Sequence, residues 1–276
     1  MSKRFLKQLG LYFILIFISF VSLFPFYWSI VTSLKIGKNL FKVEWVPSQI
    51  SIENYKKVLL DQPFSLNLVN SVLIAVTTVG VSLLIGIFAA YSLARHRFKG
   101  RKFILYSFLI VSMFPQIAIL SGLFEVLRFL GLFNHRLGLS CSYLIFTLPF
   151  TVWSLMTFMR ELPKEMEESA ILDGAGTFVI IFKIILPLLT PSLITTGLLA
   201  FIAAWNEFLF ALTFSVTNQS KTVPVAIALM TGASEHEVPW GMIMAASVMV
   251  TIPVVVLAMI CQKRIVSGLT AGAVKG

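Results

Sequence analysis

The stretch RELPKEMEESAILDGAGTFVIIFKIILPLLTPS, residues 160–192, leads from one long apolar run into another and carries five of the chain's twelve acids. Pro163 suits a first helical position, and Glu165, Glu167 and Glu168 in the next turns complement the positive end of a helix dipole. From Glu167 the helical spacing puts Ala170, Ile171 and Gly174 on one face, a small-residue stripe flanked by acids. Gly174 and Gly176 weaken that helix, and Thr177 can cap a second one that runs through Phe178 to Leu186 before Pro187 and Pro191. The expected product is a helix, a bend and a helix projecting from the apolar runs. An exposed, small-faced hairpin with an acidic rim suits docking into a groove on another protein better than it suits chemistry.

Around this hairpin the composition is that of a membrane protein. Of 276 residues 58% are apolar and only 12% are charged, against about a quarter charged in soluble domains. Disorder is excluded and a water-soluble enzyme disfavoured. Six apolar runs, at about 9–34, 67–94, 103–122, 139–159, 188–214 and 240–261, are each long enough for a hydrocarbon layer about 30 Å thick. The first follows the basic tail MSKRFLKQ, but it is too long for a secretory signal and lacks a small-x-small cleavage site. The expected fold is all-α: one transmembrane domain over 1–276 with six helices, an inner loop at 160–187 and a tail at 262–276.

Six spans put both termini on one side. With the amino end inside, the inner segments hold 14 Lys and Arg and the outer ones 8. RHRFKGRK at 95–102 is the strongest local signal, so both termini are expected in the cytoplasm. The net charge of +10 has the same topological cause, and no basic stripe interleaved with aromatics points to nucleic acid.

Within the spans, Pro25, Pro115, Pro149, Pro191 and Pro253 each remove a backbone hydrogen bond and predict kinks. Ser82, Gly86, Ala90 and Ala94 recur every four residues of the second run, a narrow stripe along which another helix can approach closely, in this chain or a second one. In the outer segment, Ser51 can cap a short helix with Asn54 three residues on, and Tyr55, Val58 and Leu59 make its apolar face; the segment is either a surface helix or a spacer. Glu207 is the one acid well inside a run. With Trp205 and Asn206 it either lines a path for a polar solute or sits near the outer end of its span, tying helices together or meeting a binding protein.

The chemistry of the chain is equally bounded. No GxxxxGK[ST] phosphate loop occurs, and Gly37-Lys38 is followed by Asn39. His96, His135 and His236 lie on three different connections without ligand spacing, so no metal site is expected. Cys141 and Cys261 read as small packing residues. No catalytic pair or triad stands out, and the chain is not expected to be an enzyme.

The run EESAILDGAGTFVIIFKIILP resembles the motif of the membrane-spanning subunits of binding-protein-dependent ABC importers: glutamate, two small residues, Asp-Gly-Ala, then Ile-Leu-Pro. Glu168, Ser169, Ala170, Asp173, Gly174, Ala175, Leu186 and Pro187 carry the match, with Ser169 where alanine is usual. ENYKKVL at 53–59, LPFTVWSL at 148–155, AAWNEFLFAL at 203–212 and QKRIVSGLTAGAVKG at 262–276 look like the carbohydrate branch, specifically its second, maltose-type permease. The resemblance implies a half-transporter in a bacterial cytoplasmic membrane. Its partners would be a second homologous permease, a dimeric cytoplasmic ATPase that binds ATP and Mg, membrane lipid, and an extracytoplasmic binding protein that delivers a sugar.

By the same resemblance the hairpin would be a coupling helix between spans four and five, with Glu167, Glu168, Ser169, Ala170, Asp173, Gly174 and Ala175 as coupling residues. The glycine-rich tail is a flexible solvated end by composition; the resemblance would have Gly268, Leu269, Thr270, Gly272 and Lys275 reach the ATPase. The chain itself would hold no cofactor. The rival class is an ATP-independent secondary transporter or channel, to which Glu207 could be recruited.

Overall fold

The computed structural model describes residues 3–230 and 238–273, the side chains of 3–6, 9 and 263–273 excepted. Every described element is helical. Helix α1 (Lys3–Ser33) is followed by a 3₁₀ turn (Gly37–Phe41) and the short α2 (Glu53–Leu60). Then come α3 (Phe64–Arg95), α4 (Arg101–Met113), α5 (Gln116–Phe129) and α6 (Arg136–Glu161). The hairpin comprises α7 (Glu165–Leu172), α8 (Thr177–Val179), a π-helical segment (Ile180–Ile185) and α9 (Leu186–Leu188). The remainder is α10 (Thr190–Trp205), α11 (Leu209–Phe214), α12 (Val223–Ala228) and α13 (Trp240–Ala273).

Four helices are long and apolar enough to cross a membrane, or up to six spans if each of two bent pairs is one, against the six the sequence predicts. The bends depart from the expected continuous spans. The third span is two helices meeting at 102°. Phe114 is extended (φ −71°, ψ 133°) because Pro115 crowds the helical conformation of the residue before it, and a new helix starts immediately after the ring. In the fifth, Thr177–Leu188 meets Thr190–Trp205 at 79°, with Pro191 in the first turn of α10, where its missing N–H costs nothing. Pro115 and Pro191 therefore mark breaks, whereas Pro25, Pro149 and Pro253 lie inside continuous helices.

The chain groups into two compact units. One comprises Met1–Ser65 and Ala226–Pro253. Here Asn54 of α2 is buried and donates to the carbonyls of Ser33 and Lys35, both at 2.8 Å, and the Tyr55 hydroxyl lies 2.8 Å from that of Ser33. The inward face of α2 is thus Asn54 with Val58, while Leu59, expected inside, is 46% exposed. Gly241 makes this possible: a Cβ there would stand 2.7 Å from the Asn54 amide. Ser51 accepts from the N–H of Glu53 at 3.2 Å, one position short of the expected cap. On the outer side of α2, the bond from Lys57 holds the Glu53 carboxyl below its usual range and raises the Lys57 ammonium.

The second unit, Leu66–Val225 and Val254–Gly276, holds the main packed bundle. The small stripe on α3 faces α6 of the same chain. Ser82 Oγ lies 2.8 Å from Thr147 Oγ1, Ala90 is fully buried, and a Cβ at Gly86 would stand 2.7 Å from Thr151 Cγ2. At one end of this unit the 96–100 connection and the hairpin adjoin. At the other, Asn134 accepts from Val216 N, Thr217 N and Ser220 Oγ, and Asn70 donates to the carbonyls of Asn218 and Lys221. Within this unit the connections at 96–100 and 160–176 thus lie at one end and those at 130–135 and 215–222 at the other, as alternating spans require.

Gly86→Val should lower the unfolding temperature of the purified chain, since overpacking at such a contact costs about 1–3 kcal/mol. Gly80→Ala, where a Cβ meets nothing within 4 Å, should leave it unchanged or raise it slightly.

Candidate coupling site

The hairpin is built on its own chain before it can present anything to a partner. Ile180, Ile181, Ile185 and Leu189 bury against Tyr91 and Leu93 of α3 and Val152, Leu155, Met156 and Met159 of α6. Phe88 receives the edges of Phe178 and Phe182, each with centroids 6.0 Å apart. Ala170 and Ala175 pack partly buried on the same core. Of the face expected to be outward, Ala170 therefore turns inward, where α7 approaches the core closely, while Ile171 and Gly174 stay exposed.

Glu167 also departs from the expected acidic rim. It is buried, and its Oε1 lies 2.5 Å from Arg95 Nε, with the two side chains 10% and 7% exposed. Arg95, the last residue of α3, also donates from Nη2 to the carbonyl of Leu162 at 3.1 Å. One guanidinium thus holds both the chain leaving α6 and the first turn of α7. Sequence reasoning missed Arg95, counting it only as a topological charge; its place at the end of an apolar run, with acids to pair elsewhere, was the available signal.

The exposed residues of α7 and its bend include Glu168, Ser169, Ile171, Leu172, Asp173 and Gly174. Leu172 is 88% exposed. The bend is a closed helix terminus in which Ala175 N–H donates to Ala170 O and Gly174 N–H to Ile171 O, both at 2.9 Å. Gly174 sits at φ +80°, a conformation L side chains resist, with open space around its α-carbon. Pro163 lies two residues ahead of α7 rather than in its first turn, and Gly176, not Thr177, occupies the cap of α8. The π segment follows, its widened turn closed by Leu186 N–H donating to Ile181 O.

The second candidate group divides. Trp205 is 1% exposed and stacks on Phe201 at 5.5 Å; Asn206 is exposed and donates to Ile202 O at 2.9 Å. Glu207 is buried and accepts from Phe210 N at 2.7 Å and Ala211 N at 3.0 Å, capping α11. The span breaks here because the carboxylate replaces the carbonyl acceptors that those first-turn N–H groups lack. His135 likewise caps α6 through Nδ1, and His96 packs on the ring of Tyr91. Of the tail candidates, Gly268, Leu269, Thr270 and Gly272 lie where only the backbone is described, and Lys275 lies outside the described residues, as does His236 of the 215–239 connection.

Four helices long and apolar enough to cross a membrane, with two bent pairs besides, define a multi-pass membrane protein. Residues 82–270, which include the whole hairpin, match the family described as binding-protein-dependent transport system inner membrane component, and the chain belongs to that family. It is similar to the trehalose/maltose transport system permease protein MalG of Thermococcus litoralis, at 44% identity over 100% of both chains. It is also similar to the trehalose transport system permease protein SugB of Mycobacterium tuberculosis, at 38% identity over 91% of this chain and 97% of that one. Its fold matches a chain of a bacterial ABC transporter involved in the import of the acidic polysaccharide alginate, with a TM-score of 0.79 at 23% identity over 95% of this chain and 98% of that one.

Removing one member of the buried pair, by Arg95→Gln or Glu167→Gln, should destabilise the chain by about 3–5 kcal/mol. A double-mutant cycle read by thermal unfolding should show the two losses to be strongly non-additive. Glu207→Ala should cost about 1–2 kcal/mol by uncapping α11, and Glu207→Gln, which keeps an acceptor, distinctly less.

Proposed function

We propose that this chain is the permease subunit of an ATP-driven sugar importer and forms the translocation path together with a second, homologous permease. The observation that carries this reading is the division of the hairpin into an inward half, pinned by Arg95 and the buried isoleucines, and an outward half of Glu168, Ile171, Leu172 and Asp173. Such a unit moves with its spans as one body, so a force applied to α7 reaches α3 and α6 without being lost in a loose loop. The force would come from closure of a separate, dimeric cytoplasmic ATPase that binds ATP and Mg, with α7 as the coupling helix in its cleft. An extracytoplasmic binding protein would bring the sugar.

The sugar assignment is supported by the trehalose/maltose and trehalose transport names of the similar permeases. A second permease is supported by the family to which the chain belongs. The excess of basic residues in the segments between alternate spans supports a cytoplasmic location for both termini and the hairpin. The ATP-independent rival loses its one residue, because Glu207 commits both carboxylate oxygens to the backbone of α11.

Co-expression with its genomic neighbours should yield a complex whose ATPase activity rises when a sugar-loaded binding protein is added. Gly174→Asp should keep the chain in the membrane but lower sugar uptake at least about tenfold, since a side chain at positive φ costs about 1–2 kcal/mol and intrudes on the docking bend. If no ATPase co-purifies and flux follows an ion gradient, the reading fails.

A further inference from the structure

At the hairpin end of the second unit, a cleft of about 540 Å³ is lined by Arg97, Phe98, Gly100, Arg101, Lys102, Leu105 and Arg160. Four of these residues are cationic, none is acidic, and neither ion pair among the described residues involves them. Membrane topology explains why bases occur on this connection, but it does not make them converge on one cavity.

The local backbone sharpens the point. Arg101 and Lys102 occupy the first turn of the 13-residue α4, the end where the helix dipole disfavours cations. Gly100, at φ +91°, supplies no side-chain cap, and the first turn contains no acid. Arg101 Nε is buried without a hydrogen-bond partner. A partnerless guanidinium nitrogen and four positive charges at one place call for a multiply accepting anion. One turn into the membrane, Phe103, Tyr106 and Ile110 follow along one face of α4 at 75%, 61% and 64% exposure. A ligand whose anion sits in the cleft would have its apolar part alongside these side chains.

We propose that this cleft binds the phosphate of an anionic phospholipid, with its acyl chains lying on the exposed face of α4. Zwitterionic lipids carry a cation next to the phosphate, which the four bases repel; an anionic headgroup does not. Occupancy would offset the unfavourable charge at the start of α4 and fix the connection between α3 and α4, one residue beyond Arg95.

The test is native mass spectrometry of the full-length chain in detergent, titrated with phosphatidylglycerol or phosphatidylcholine of the same acyl chains. Phosphatidylglycerol should bind about tenfold more tightly or better, and Arg101→Gln/Lys102→Gln should abolish that preference. The charge-matched control Lys42→Gln/Lys56→Gln, far from the cleft in sequence, should keep it. If the double variant does not fold, Arg160→Gln and the wild-type response to added salt serve instead, and both should weaken phosphatidylglycerol specifically. Equal binding of the two lipids, or an unchanged preference in the variants, would overturn the proposal. Displacement of phosphatidylglycerol by inorganic phosphate at comparable concentration would assign the cleft to a soluble anion. Loss of the lipid on assembly with the ATPase would assign it to a protein contact, which equally overturns it.

Discussion

A guanidinium withdrawn from water must find both a counter-charge and carbonyl acceptors, and Arg95 finds them on a single connection of the chain. The carboxylate of Glu167 and the carbonyl of Leu162 flank the turn between α6 and α7, so neither end of that turn moves without α3. The isoleucines of the π segment then close the other side of the hairpin on the same helices. Much else in the second unit serves this arrangement. The close fit at Gly86 lets α3 and α6 run side by side, and the Ser82–Thr147 contact fixes their register.

This explains how a segment rich in acids becomes a rigid projection. Alternating charges on an exposed loop would leave it to solvent. Here one acid is taken inward and the others are left at the surface, so the same helix has a structural face and a free face. Leu172 and Ile171, apolar and outward, complete the free face with groups that gain from being covered.

The sequence made the spans, the small stripe on α3 and the hairpin legible, because each rests on a local signal: run length, four-residue spacing, or glycines after a set of acids. What it left hidden depended on partners distant in the chain. Glu167 and Glu168 are indistinguishable by type and adjacent in position, yet a helical turn sends one to Arg95 and the other to the surface. The break at Glu207 was invisible for a similar reason: an acid inside an apolar run signals a cost, but not that backbone N–H groups will meet it. Asn54 shows the opposite error, an amide read as part of a helix cap that instead takes the most enclosed place on its helix because two carbonyls await it.

The π segment Ile180–Ile185 has a consequence for how this region can vary. A π turn holds one more residue than an α turn while leaving the flanking helix faces in place. It is therefore a local reservoir of chain length. Between the hairpin bend and Pro187, a single residue can be gained or lost by converting one kind of turn into the other, without rotating Phe178 away from Phe88 or moving the point at which the next span departs.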